Sequence, residues 1–231
     1  MHRLVHIGIL LSLITSASLA PLDSQTIDSL AFKDLQFRMV GPFRGGRSSA
    51  VTGFPTDLDR WLMGTTGGGV WETTDNGISW RNISDGFFGG SIGAVRVANS
   101  DPNVIYVGQG SADIRGNTST GRGMWKSMDA GRTWAFIGLP EAGQIGRIEV
   151  HPDNHDLVYV AALGHPFGKN PERGIFKSED GGETWNHVLA LNDSTGASDL
   201  TMDMVNPRIL YAGMWRGERK PWTLISGAEE G

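Results

Sequence analysis

The chain contains no cysteine, which excludes disulfides, thiolate zinc sites and cysteine nucleophiles. Charged side chains are also scarce, at 19% against a typical ~25%. The formal net charge is −5 and no basic block stands out, so nucleic acid is not an expected partner. Beyond the first twenty residues no run is long and apolar enough to cross a membrane. Glycine, by contrast, is abundant: 33 of 231 residues, roughly twice the usual share. Glycine supplies positive φ in turns and weakens helices. The composition therefore argues against a coiled coil or helical bundle and favours short strands joined by tight turns. Eight Trp and a 39% hydrophobic content supply a core.

The N-terminus reads MHRLVHIGILLSLITSASLA. Arg3, an apolar run from Leu4 to Ile14 and a small-residue stretch ending at Ala20 have the layout of a secretory signal peptide. Residues 1–20 are thus expected to direct export to a secreted or periplasmic location, with no stable membrane span once the signal is removed. Residues 21–36 form a lead into the repeats.

Three segments superimpose without a gap: GVWETTDNGISW from Gly69, GMWKSMDAGRTW from Gly123 and GIFKSEDGGETW from Gly174. Their aspartates, Asp75, Asp129 and Asp180, are spaced by 54 and 51 residues. Each later copy is preceded by an apolar strand, a Pro-bearing polar turn and a second strand. These read IGAVRVANSDPNVIYVG from Ile92 and IGRIEVHPDNHDLVYVA from Ile145, and a further copy reads DLTMDMVNPRILYAG from Asp199. A diverged first copy runs from Arg47 through Pro55 to Met63. Four strands in ~50 residues describe a propeller blade. The predicted fold is all-β, a propeller with blade 1 at 37–86, blade 2 at 87–140, blade 3 at 141–193 and an incomplete blade 4 at 194–231. Extrapolating the spacing predicts a fourth aspartate near position 235, so the sequence reads as an N-terminal fragment of a longer propeller.

An aspartate at a tight turn accepts bonds from backbone N–H groups a few residues on. Asp75, Asp129 and Asp180 are accordingly expected to cap turns rather than to catalyse. Gly77, Gly131 and Gly182 sit where such a turn needs positive φ. Ser79, Thr133 and Thr184 are expected to begin the outgoing strand, and Trp80, Trp134 and Trp185 to plug the space between blades.

The motif, seen as TTDNGISW, SMDAGRTW and SEDGGETW, resembles the Asp-box (BNR) repeat. The wider pattern resembles bacterial secreted proteins grouped with sortilin N-terminal domains and BNR-repeat glycosyl hydrolases. It includes FRMVGPFRGGR from Phe37, GTTGGGVW from Gly64 and YVAALGHPFGKNPERGIFKSEDGG from Tyr159. The resemblance implies a propeller but no single activity, because the repeat also occurs in sialidases, xyloglucan-cleaving glycosidases and sortilin-like receptors. In the xyloglucan-cleaving relatives a catalytic Asp precedes a Gly-Gly pair in the first blade. Matching that pair to Gly68 and Gly69 puts Thr66 at the catalytic position, where it cannot serve as a carboxylate. Phe37-Arg38-Met39-Val40 resembles the start of a sialidase without its proline.

The aspartate turns define one face of the propeller. The longest polar loops, at 109–122, 164–173 and 216–230, lie on the other, where functional residues collect. Candidate ligand-binding residues are Arg44, Arg47, Arg115, His165, Arg173, Arg216 and Trp222. Arginines and carboxylates would bond sugar hydroxyls, and Trp222, with Trp215 beside it, would stack on a ring. Asp113 and Glu172 are the carboxylates best placed for catalysis, although glycoside hydrolysis needs a facing pair. No metal or cofactor motif is present. The expected function is a sortilin-like module binding a glycan, or an extracellular peptide or protein. A glycoside hydrolase with catalytic carboxylates elsewhere is the alternative.

Overall fold

The computed structural model describes residues 46–227. The signal-like segment, Phe37–Val40 and Arg44 lie outside them. Every element among the described residues is a β-strand, and every strand pairing is antiparallel. The first blade comprises β1 (Ser48–Phe54), β2 (Asp57–Gly67), β3 (Val70–Thr73) and β4 (Arg81–Asn82). The second comprises β5 (Gly90–Val97), β6 (Ile105–Gln109), β7 (Met124–Ser127) and β8 (Ala135–Phe136). The third comprises β9 (Ile145–His151), β10 (Asn154–Ala162), β11 (Gly174–Ser178) and β12 (Asn186–Leu189). β13 (Thr195–Met202), β14 (Leu210–Arg219) and β15 (Leu224–Ser226) form a three-stranded fourth unit. A short pairing of Thr66 with Ser91 and Gly67 with Gly90 ties the first two blades together.

The core lies between blades rather than within one. Strand side chains alternate between the two faces of a sheet. Ile105 and Val107 therefore join Phe54 and Leu62 of the first blade, whereas Tyr106 points forward and packs with Val158 and Val160 of the third. Ala161 and Ile175 pack in turn on Ala197 and Leu200 of the fourth. Burial on both faces explains why β6 is buried along its whole length.

The three aspartate turns share one hydrogen-bond scheme. Thr73 Oγ1 donates to Asp75 Oδ1 at 2.7 Å and accepts from the Gly77 N–H at 2.8 Å. Ser79 donates to the same carboxylate through its N–H at 2.9 Å and its hydroxyl at 2.6 Å. Ser127, Gly131 and Thr133 repeat this around Asp129, as do Ser178, Gly182 and Thr184 around Asp180. The glycines have φ of 93°, 88° and 100° as the spacing predicts. Two details differ from expectation. Ser79, Thr133 and Thr184 close the turn instead of opening the next strand. The residue before each glycine is left-handed too, with Asn76 at φ 56°, Ala130 at 62° and Gly181 at 70°. Trp134 and Trp185 bridge blades as expected, their indole N–H groups donating to the Ile83 and Ile137 carbonyls of the preceding blade at 2.9 and 2.7 Å. Trp80 instead donates to Gly77 O of its own turn.

Hydroxyl and backbone N–H donors hold the three turn carboxyls at a pKa of about 2, below their ordinary 3.8. A lowered folded pKa gives a stabilising contribution that is complete above the unfolded value and disappears as pH falls through the folded one. Thermal unfolding measured from pH 5 down to pH 1.5 should therefore show the melting temperature falling chiefly between about 4 and 2. A variant carrying Asp75→Asn, Asp129→Asn and Asp180→Asn together should start less stable at neutral pH and lose much of that slope.

Candidate functional site

Each innermost strand carries a register irregularity near its loop end, at Ser48/Ala50, Ile92/Ala94, Ile145/Arg147 and Ala197/Asp199. The extra residues are Ser49, Gly93, Gly146 and Ser198. β-Bulges re-aim a strand and recur beside active sites. Here all four bulge residues line one concavity of about 640 Å³, together with Ser111, Asp113, Ile114, Arg115, Asp199 and Trp215. A second concavity of about 260 Å³ adjoins it through Ser49, Ser111, Asp113 and Arg115. Arg47, Thr66, Asn117 and Thr118 are among the residues completing its wall.

The 109–122 loop is fixed from below. Buried Gln144 accepts from the Ser111 N–H at 2.5 Å through Oε1 and donates to Ser119 O at 3.0 Å through Nε2. Within the loop, Thr118 Oγ1 accepts from the Arg115 N–H and donates to Arg115 O, closing a small turn. Ser111 Oγ accepts from the Asp113 N–H. Arg47 Nη2 donates to Asn117 Oδ1 at 3.2 Å, joining the first blade to this loop. The side chains of Asp113 and Arg115 belong to exposed residues on a loop whose backbone is tied down.

A chain of opposite charges crosses the inner strands beneath. Arg96 contacts Glu149 at 3.1 Å, Glu149 contacts Arg147 at 3.3 Å, and Arg147 contacts Asp199 at 3.8 Å. Glu149 is nearly buried, so its two arginines supply the pairing that a buried carboxylate requires. Asp199 ends this chain at the rim of the larger concavity.

Of the sequence-predicted residues, the structure gathers Arg47, Asp113 and Arg115. Glu172, His165, Arg216 and Trp222 line neither concavity. Trp222 is highly exposed in the turn between β14 and β15, and Trp215 is the indole that reaches the concavity. Arg173 is corrected from a ligand contact to an internal one: it is 1% exposed, and its guanidinium bonds backbone carbonyls. Sequence reasoning missed Asp199. Its signal was a departure from the repeat, since the equivalent inner-strand positions hold Ala50, Ala94 and Arg147.

No family model matches the chain. A xyloglucanase of Hypocrea jecorina (strain QM6a) is 29% identical over 124 residues, covering 48% of this chain and 14% of that protein. The crystal structure of an ancestral GH74 enzyme aligns over 77% of this chain and 23% of its own, at 24% identity and TM-score 0.57. The Niastella koreensis GH74 enzyme aligns over 71% of this chain and 28% of its own, at 18% identity and TM-score 0.55. The chain thus spans between 14% and 28% of the length of these relatives. Together with the antiparallel blades, the likeness establishes the fold as a partial β-propeller.

Proposed function

We propose that the chain is an exported, Asp-box-type propeller module that binds a glycan in the paired concavities above its inner strands. The observation that carries this reading is the convergence of Arg47, Asp113 and Arg115 with Ser and Thr hydroxyls, beside one indole face. Ionic and hydroxyl groups bond sugar hydroxyls, and an aromatic ring stacks on the apolar face of a pyranose. The xyloglucanase likeness makes xyloglucan oligosaccharides the first ligands to test. Titration calorimetry should detect binding by the wild-type chain. Asp113→Ala and Arg115→Ala should each weaken it about tenfold or more, the size of a lost charge-assisted bond. Unchanged affinity in both variants would overturn the site.

Hydrolysis is the second reading, favoured by one observation: Asp113 and Asp199 line the same concavity. Glycosidases need two facing carboxyls. Thr66 lines the adjoining smaller concavity, which Asp113 also lines, so a carboxylate there would come from Asp113 rather than from the first blade. New reducing ends produced from xyloglucan by the wild type, and absent with Asp199→Asn, would support it. A wild type that binds without cleaving supports the binding module alone.

A further inference from the structure

Gln144 immediately precedes β9, and its counterparts in the other units are Arg47, Ser91 and Gly196. A shared bond fixes the equivalence of three of them. The carbonyls of Arg47, Ser91 and Gln144 accept from the N–H groups of Thr66, Gly110 and Leu163 at 3.0, 2.8 and 2.8 Å. Of the four positions only the third carries a long neutral amide. Arg47 is exposed, Ser91 has one short hydroxyl and Gly196 has no side chain, whereas Gln144 is fully buried.

Both ends of that amide are committed, and the partners fix its orientation. Oε1 accepts from the Ser111 N–H and Nε2 donates to Ser119 O. Turned about, the amide would set a donor against the Ser111 N–H and an acceptor against the Ser119 carbonyl. Gly110, at φ 93°, leaves room for it, since a Cβ there would lie 2.8 Å from Oε1. The adjoining carbonyl of Gly143 accepts from the Gly121 N–H at 2.7 Å. Two consecutive residues of the third blade therefore hold the second blade's loop at three points. That hold passes on to the ligand contacts. Ser111 Oγ accepts from the Asp113 N–H, and Thr118, next to Ser119, closes the turn on Arg115. Arg47 meets the same loop from its other side, at Asn117.

We propose that Gln144 is a positioning residue: through Ser111 and Ser119 it holds Asp113 and Arg115 in their binding geometry, and it needs both halves of its amide to do so. The affinity readout rests on the glycan reading; the bonds themselves lie inside the second and third blades. Glutamate at 144 would keep the acceptor in either form and the donor only when protonated. Burial and the Ser119 carbonyl raise the pKa of such a carboxyl above the ordinary value of about 4.3, while the Ser111 N–H opposes them. Asp113, Arg115 and Arg122 on the loop, Arg147 on β9 and His165 behind Gly143 are the charged or titratable groups on the elements packed here. The wild type shares all of them, so their titration cancels in the ratio of variant to wild type.

Titration calorimetry of the full chain with xyloglucan oligosaccharides tests this. Gln144→Met should weaken binding about tenfold or more across the pH range, the size of a buried group left unpaired. Gln144→Glu should bind as weakly at about pH 9 and recover most of the wild-type affinity at about pH 4.5. That recovery is reversible within one folded sample, so it stays decisive should Gln144→Met not fold. Wild-type affinity in Gln144→Met overturns the inference. So does a Gln144→Glu variant whose ratio to wild type does not change with pH. Hydrogen exchange of residues 111–119 separates this outcome from failure of the glycan reading. If the wild type binds no oligosaccharide, that reading fails. Faster exchange of residues 111–119 in Gln144→Met then still supports the positioning role, and unchanged exchange overturns it.

Discussion

Replacing Gly93 with alanine is expected to lower the unfolding free energy by about 3 kcal/mol, at the upper end of overpacking costs. A Cβ at Gly93 would lie 1.9 Å from Ile145 O and 2.9 Å from Gly110 O. Both neighbours are backbone, so no side chain can rotate away. Relief requires β5 to separate from β9, and that seam also holds Ala94, Ile145 and Ile148 in the shared core. Ser49 is the matched control at the equivalent bulge. Its hydroxyl donates to Ile92 O at 2.5 Å, and Ile92 corresponds to Ile145. The first two blades thus stand far enough apart there to admit a side chain. Ser49→Ala should cost only about 1 kcal/mol, the net worth of one hydrogen bond. Urea unfolding of the two variants distinguishes them, and a Gly93→Ala cost no larger than that of Ser49→Ala would refute the close-approach account.

This contrast also shows which parts of the molecule were legible in advance. The aspartate turns were, because their bonds span no more than four residues: Ser79 to Asp75, Gly77 to Thr73. Local chemistry of that kind leaves a fixed pattern in sequence, and the period of the blades follows from it. The wall of the concavity was only half legible. Asp113 and Arg115 sit on a long polar loop, which is a sequence signal in itself. Asp199, Trp215 and the four bulge residues reach the same place from inner strands and from another blade. Their convergence depends on how the sheets stack, which no spacing within one repeat encodes. The exchange of Trp222 for Trp215 has the same origin: both indoles are close in sequence, and only the course of β14 and its turn decides which one faces the concavity.

Arg173 makes the same point with a measurable outcome. It looked like a surface cation in a polar loop, yet its Nη2 donates to His165 O at 3.0 Å, Gly168 O at 3.2 Å and Gly217 O at 3.2 Å. The first two carbonyls belong to the 164–173 loop and the third to β14, so one side chain fastens the third blade's loop to the fourth unit. The N–H of Arg219 on β14 also donates to Pro166 O. Asn170 reinforces the loop by donating to the carbonyls of His165 and Gly168. Burial holds the guanidinium below its ordinary pKa, while the carboxylates of Glu218 and Asp193 act in the opposite direction. Arg173→Met keeps much of the volume but leaves three carbonyls without their charged donor. A loss of about 3 kcal/mol is expected, the lower bound for breaking a buried charged network. Hydrogen exchange should localise the opening to residues 164–173 and 216–219. Glycan affinity, measured where the variant remains folded, should stay close to wild type, because the guanidinium faces carbonyls and not the concavity. A variant with wild-type stability but weakened glycan binding would return Arg173 to the list of ligand contacts and overturn this assignment.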